Sequence, residues 1–220
     1  GCGLVYLNPR PPADAIDEAA RTGLHTFGPG MLNAIGSYSP KKVADYRRRL
    51  ETLFEDAPLA DRPVRWLDVG AGFGELIEAV RAIAHPESTL LGLDPCAPKV
   101  DRARARGLPV EAAPLSEAGG PFDVISLVNV YSHVPDPVAF LSELREKLAE
   151  GGVIVLVTGN GADVERDQFP GALYLPDHLS FAGESQLQVV FGRAGFEVVR
   201  TDRYPALPSL DSLPVTLLKN

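Results

Sequence analysis

Asp68, Gly70, Gly72, Gly74 and Asp94 have the types and spacing of a ligand-binding set. The stretch "LDVGAGFGELIE", residues 67–78, carries its glycines as G-x-G-x-G. A dinucleotide fingerprint needs G-x-G-x-x-G, and Glu75 stands where its third glycine belongs. A strand that enters a glycine turn and leaves as a helix aims free backbone amides at a ligand. Gly70, Ala71 and Gly72 form the heart of that turn, and the two glycines let the backbone approach the ligand with no side chain between. Asp94 ends "LLGLD", 20 residues beyond Gly74. A carboxylate at the tip of a second strand can accept hydrogen bonds from ribose hydroxyls; the blander alternative is a cap for the next helix. Asp68, just ahead of the glycines, would repel a pyrophosphate and attract an ammonium group. The two ends together suit a nucleoside joined to a cationic amino acid, and S-adenosylmethionine has both.

The elements that would position these residues alternate. Short apolar runs predict strands at 64–69, 89–94, 110–113, 122–128 and 152–158, with helices at 74–84, 97–106 and 137–150 between them. Pro137 suits a first helical turn and Gly151 the position just past a helix end. "VISLV" and "VIVLV" are apolar on both faces, as expected of parallel strands covered by helices on each side. Beyond Thr158, "GNGADVERDQFPGALYLPDHLSF" is a long Gly-, Pro- and Asp-rich stretch of the kind that usually serves function. A helix near 184–193 follows, and "GFEVVRTD" and "VTLLK" read as closing strands. Residues 14–21 and 40–55 look helical. The expected organisation is an N-terminal segment with a helical cap over residues 1–60 and a binding domain over 61–220.

A chain of 220 residues with a formal net charge of −8 is poorly suited to bulk nucleic acid. Arg47–Arg49 and Arg102–Arg106 fall in helical stretches and read as solvated faces. No apolar run approaches a membrane span, and no signal-peptide pattern opens the sequence. Cys2 and Cys96, far apart, do not suggest a disulfide framework. A cytoplasmic protein without nucleic-acid or membrane partners is the expectation; oligomeric state is not legible.

"VRWLDVGAGFGELIEAV", "LLGLDPCAPKVDRARARG" and "FDVISLVNVYSHVPDPVAFLSELREKLAEGGVIVLVTGN" occur in that order. Together they resemble the class I S-adenosylmethionine-dependent methyltransferases, in particular a small-molecule branch with a His-Val-x-Asp-Pro segment after the fourth strand. "DHLSFAGESQLQVVFGRAGFEVV" is similar to that branch's later region. The resemblance implies an α/β, Rossmann-like, doubly wound sheet of seven strands, mostly parallel with the last antiparallel. It implies the cofactor across the strand tips, with Asp68 and the Gly70–Gly72 backbone at its methionine end and Asp94 on its ribose. Pro95 and Cys96 would line the adenine, and Asn129 and Val130 would lie near the sulfonium. Ala113 stands where many relatives carry an acid that reads the adenine amino group. "NVYSH", residues 129–133, lacks the glutamates of metal-binding branches, so no metal is expected. The opening "GCGLVYLNPRPP" resembles the end of a zinc-ribbon with Cys2 as its last ligand, but one cysteine cannot hold a structural zinc.

Three further side chains are candidates for the reaction itself. His133 follows the fourth strand and is either a base or a brace for the turn before Pro137. His178 either walls an acceptor pocket or is an ordinary surface histidine. Tyr131 is either core or an aromatic face near a sulfonium. From the same resemblance, His25 and Tyr38 could cover the cofactor from the N-terminal side. The function expected is methyl transfer to a small-molecule oxygen, nitrogen or carbon. The rivals are a nicotinamide-dependent oxidoreductase, disfavoured by Asp68 and Glu75, and a non-catalytic cofactor-binding module.

Overall fold

The computed structural model describes residues 5–23, 25–27, 31–33, 36–159, 161–163, 178–204 and 213–219, with backbone alone at 25–27, 31–33, 204 and 213–219. Its elements are β1 (Val5–Tyr6), α1 (Ala13–Thr22), β2 (His25–Phe27), β3 (Met31–Asn33), α2 (Pro40–Leu53), β4 (Arg65–Val69), α3 (Glu75–Ile83), β5 (Thr89–Leu93) and α4 (Ala97–Arg104). They continue with β6 (Val110–Glu111), β7 (Phe122–Val128), α5 (Pro137–Glu146), β8 (Leu148–Val157), β9 (Ser180–Phe181), α6 (Glu184–Arg193), β10 (Glu197–Tyr204) and β11 (Leu213–Lys219).

The central sheet has seven strands in the order β10-β11-β8-β7-β4-β5-β6. Neighbours from β8 to β6 are parallel, whereas β11 runs antiparallel to both β8 and β10. From β4 the chain moves outward through β5 to β6, then returns to lay β7 and β8 on the other side. The strand order therefore reverses between β4 and β7. Such a reversal leaves a crevice at the carboxyl ends of the strands, where open α/β sheets bind ligands.

Alternation along the strands feeds two cores. Leu67, Ile125, Leu127, Ile154 and Leu156 pack with Leu141, Leu187 and Phe191 on one face. Trp66, Val124, Val155 and Val157 pack on the other with Leu50 and Leu53 of α2 and Ile77 and Val80 of α3. Period-two alternation puts Asp68 on the Trp66 face. The register Asp68↔Ser126 puts Ser126 beside it. Ser39 caps α2 by accepting from the Lys42 amide, and Pro40 fits the first turn.

Expected boundaries are corrected at α5, β8 and β6. α5 ends at Glu146 rather than running to 150, and β8 begins at Leu148. The Phe122 amide donates to the Lys147 carbonyl at 2.8 Å, so the chain has already joined the sheet there. Gly151, with φ 72°, does not close a helix. It lies where the β7–β8 register shifts between the pairs Phe122↔Leu148 and Val124↔Val153. β6 is also shorter than expected, which leaves Ala113 just beyond it, half-buried and packed on the core.

Candidate active site

The glycine turn is fastened to the end of β5. Gly70 and Ala71 both donate to the Leu93 carbonyl, at 2.7 and 2.9 Å. Gly72 donates to Asp94 Oδ2 at 2.8 Å, and the Cys96 amide donates to Asp94 Oδ1 at 2.8 Å. Each carboxylate oxygen thus uses one lone pair on the backbone and has a second with which it can accept. Asp94 is 6% exposed.

The glycines of the turn are needed for different reasons. Gly70, at φ 76°, lies so close to Val130 that an added Cβ would stand 2.3 Å from a Val130 methyl. Gly72, at φ 54°, has open space where a side chain would be, which is the opening a ligand can approach. Gly74 precedes α3 and packs against Leu108.

Asp68 is 2% exposed, and burial pushes its carboxyl up to about 7, with Asp94 and Glu75 adding to the effect. Ser126 opposes this by donating to Asp68 Oδ1 at 2.7 Å, and it accepts in turn from Trp66 Nε1 at 2.9 Å. A cation placed beside this carboxyl would offset its burial and favour its ionised form.

Across the crevice, β7 ends at Val128 and is followed by Asn129, whose φ of 57° is the positive value of a non-glycine residue. Asparagine tolerates that conformation, and such residues gather at functional sites. Its amide donates to the Val157 carbonyl at 2.8 Å, and its side chain is exposed while Val130 is half-buried. A 3-10 turn over Tyr131–His133 follows. The Leu179 amide donates to the Ser132 carbonyl at 2.7 Å, which draws the segment at 178–181 to this turn. The rings of His133 and His178 consequently lie 4.9 Å apart, centre to centre, with Phe181 edge-on to His178 at 6.1 Å.

Three of the expected site residues carry buried side chains. Tyr131 belongs to the buried core, and burial pushes its phenol up to about 12, so it offers neither an accessible face nor a proton at neutral pH. The Cys96 side chain is fully buried and presents no surface to an adenine; its contribution is the amide on Asp94, while Pro95 beside it is exposed. The Ala71 side chain is likewise turned into the core. Cys2 lies outside the described residues, as does the side chain of His25.

On the N-terminal side, the residues leading into α2 dock on α3. The Ser39 amide donates to Glu75 Oε1 at 3.2 Å, and the Tyr38 hydroxyl donates to Glu78 Oε1 at 3.1 Å. The Arg106 guanidinium lies over the Tyr38 ring at 3.9 Å and donates to the Phe73 carbonyl. Sequence reasoning used Glu75 only to exclude a fingerprint and missed Ser126, Trp66, Glu78 and Arg106. An acidic pair one turn apart at a helix start was the legible hint for Glu75 and Glu78. A serine inside an apolar strand was the hint for Ser126.

A family model described as a methyltransferase domain matches residues 37–201. The ubiquinone biosynthesis O-methyltransferase of Brucella anthropi is 28% identical over 161 residues, 67% of this chain and 64% of that protein. The protein of the same name from Cereibacter sphaeroides is 32% identical over 146 residues, 62% of this chain and 55% of that one. The chain thus spans less than two thirds of the length of these relatives. Among solved structures, a SAM-dependent methyltransferase from Leishmania major has TM-score 0.62 at 20% identity, covering 82% of this chain and 74% of that one. The magnesium protoporphyrin IX methyltransferase of Synechocystis, solved with SAH, has TM-score 0.59 at 18% identity, covering 84% and 90%. These two share the fold. The family model matches well over half the sequence, and the chain belongs to the methyltransferase domain family.

Proposed function

We propose that the chain binds S-adenosylmethionine across the tips of β4, β5 and β7 and transfers its methyl group to an oxygen, nitrogen or carbon of a small molecule. The carrying observation is the pair of buried carboxylates flanking an open glycine turn, Asp68 on one side and Asp94 on the other. Asp68 meets the ammonium group, which favours its ionised form, and the amides from Gly70 to Gly72 face the methionine end. Asp94 uses its remaining lone pairs for the ribose hydroxyls. Pro95 flanks the adenine, which Ala113 cannot read with a polar group. Asn129 and Val130 lie near the sulfonium.

The bound cofactor supplies an already activated methyl group, so the main task of the protein is alignment. His133 takes the proton of an acidic acceptor on an imidazole nitrogen, with His178 orienting the same acceptor. The names of the two curated relatives favour an oxygen acceptor within the choice of three. The small-molecule branch is supported by the His133–Pro137 segment, which leads from β7 into α5.

Calorimetry with S-adenosylhomocysteine tests the cofactor assignment, with NADH as the competing ligand. Saturable binding of the first and silence with the second is expected. Binding of NADH alone would replace it with the oxidoreductase reading. Nicotinamide chemistry is disfavoured by Asp68, whose carboxylate would stand where a pyrophosphate must lie.

A further inference from the structure

The proposed site leaves two fully buried polar side chains unexplained. Ser126 and Trp66 are each 0% exposed, in the middle of adjacent parallel strands. An indole N–H can only donate, so its bond to Ser126 Oγ at 2.9 Å fixes the serine as acceptor. The single serine proton then points to Asp68 Oδ1 at 2.7 Å in preference to the Leu67 carbonyl at 3.4 Å. The result is a one-way chain from indole to hydroxyl to carboxylate. Such chains polarise toward the acceptor and favour its charged form.

We propose that Ser126 and Trp66 are positioning residues for the cation seat: their hydrogen-bond chain favours the charged form of Asp68 over the neutral one. Asp94 beyond β5 and Glu75 at the start of α3 face Asp68 and oppose its ionisation. Tyr46 on α2 is also near and stays neutral, its phenol pushed up to about 12 chiefly by burial. Among the described residues, the Ser126 hydrogen bond is the influence that works in favour of the anion. The chain therefore sets how far toward acid the site still accepts a cation. Its part in cofactor binding rests on the cofactor assignment above; its hold on the Asp68 carboxyl does not.

The test is carbon-13 NMR titration of the aspartate carboxyls in the full chain, with Asp68→Asn to identify the Asp68 signal. Ser126→Ala is expected to move the Asp68 midpoint upward by about one pH unit, the size of one hydrogen bond to a charged group. Trp66→Phe moves it the same way by less, and Ser126→Thr, which keeps the hydroxyl, restores it. The acid-side loss of S-adenosylhomocysteine affinity moves upward in step with the carboxyl midpoint. An unmoved carboxyl midpoint in Ser126→Ala overturns the proposal. So does an equal loss of affinity at every pH, which marks a merely structural role. If Ser126→Ala does not fold, an unmoved midpoint in Trp66→Phe overturns it equally. Midpoints that move in a protein that binds no S-adenosylhomocysteine leave the hydrogen-bond chain standing and remove the cofactor assignment instead.

Discussion

Gly72 donates its amide to Asp94 Oδ2 at 2.8 Å, which makes the glycine turn and the tip of β5 one mechanical unit. Asp94 therefore does two jobs: it shapes the turn through Gly72 and Cys96, and it faces the proposed ribose. Asp94→Ala is expected to weaken S-adenosylhomocysteine by about tenfold or more, since charge-assisted hydrogen bonds contribute about 1.5–3 kcal/mol each. It also lowers the melting temperature, because the Gly72 and Cys96 amides lose their acceptor. Calorimetry and thermal unfolding measure both, and unchanged affinity would remove Asp94 from the site.

Asp68 predicts a conflict between stability and binding. Its folded pKa of about 7 lies above the unfolded value of about 3.9. Between those values the folded chain holds the extra proton, so this group makes the fold most stable below about pH 4. That stability is lost as pH rises toward about 7. Asp68→Asn removes the penalty. It should melt higher than the parent at pH 8 and bind S-adenosylhomocysteine at least about tenfold more weakly. A variant that melts lower at pH 8, or binds as tightly, contradicts this assignment.

The turn offers a matched pair of substitutions. Both Gly70 and Gly72 have positive φ, so alanine costs about 1–2 kcal/mol of backbone strain at either place. Only at Gly70 does the new methyl also collide, with Val130. Gly70→Ala should unfold at the lower temperature, whereas Gly72→Ala should lose affinity while keeping more of its stability. Equal melting temperatures would show that Val130 yields freely.

His133→Gln separates proton transfer from bracing. Loss of a base costs roughly 10²–10⁴-fold in turnover, with S-adenosylhomocysteine affinity and melting temperature close to the parent. A lower melting temperature with turnover retained would assign His133 to the turn before α5. The neighbouring His178, 4.9 Å away between ring centres, should raise KM for the acceptor more than it lowers kcat when replaced by Gln.

The sheet was legible because its strands are apolar on both faces and are punctuated by glycine and proline. The helix expected near residues 184–193 is found at Glu184–Arg193. Asp68, the glycines and Asp94 were legible because strand, turn and helix follow one another within a single continuous segment. The approach of His133 to His178 was not. It depends on the Leu179–Ser132 hydrogen bond between segments far apart in the chain, which no local pattern encodes. Ser126 hid inside an apolar run because a buried serine is indistinguishable from a small core residue until its partners are seen. Cys96 misled for the opposite reason: adjacency to Asp94 in sequence says nothing of which way a side chain turns after a strand.

Methyl transfer itself is tested most directly by supplying S-adenosylmethionine labelled with deuterium in its methyl group to the protein and a small-molecule extract, then searching the products by mass spectrometry. The prediction is a labelled small molecule that forms with the parent chain, together with S-adenosylhomocysteine, and that fails to form with Asp68→Asn. S-adenosylhomocysteine binding without any labelled product would contradict catalysis and leave a cofactor-binding module in its place.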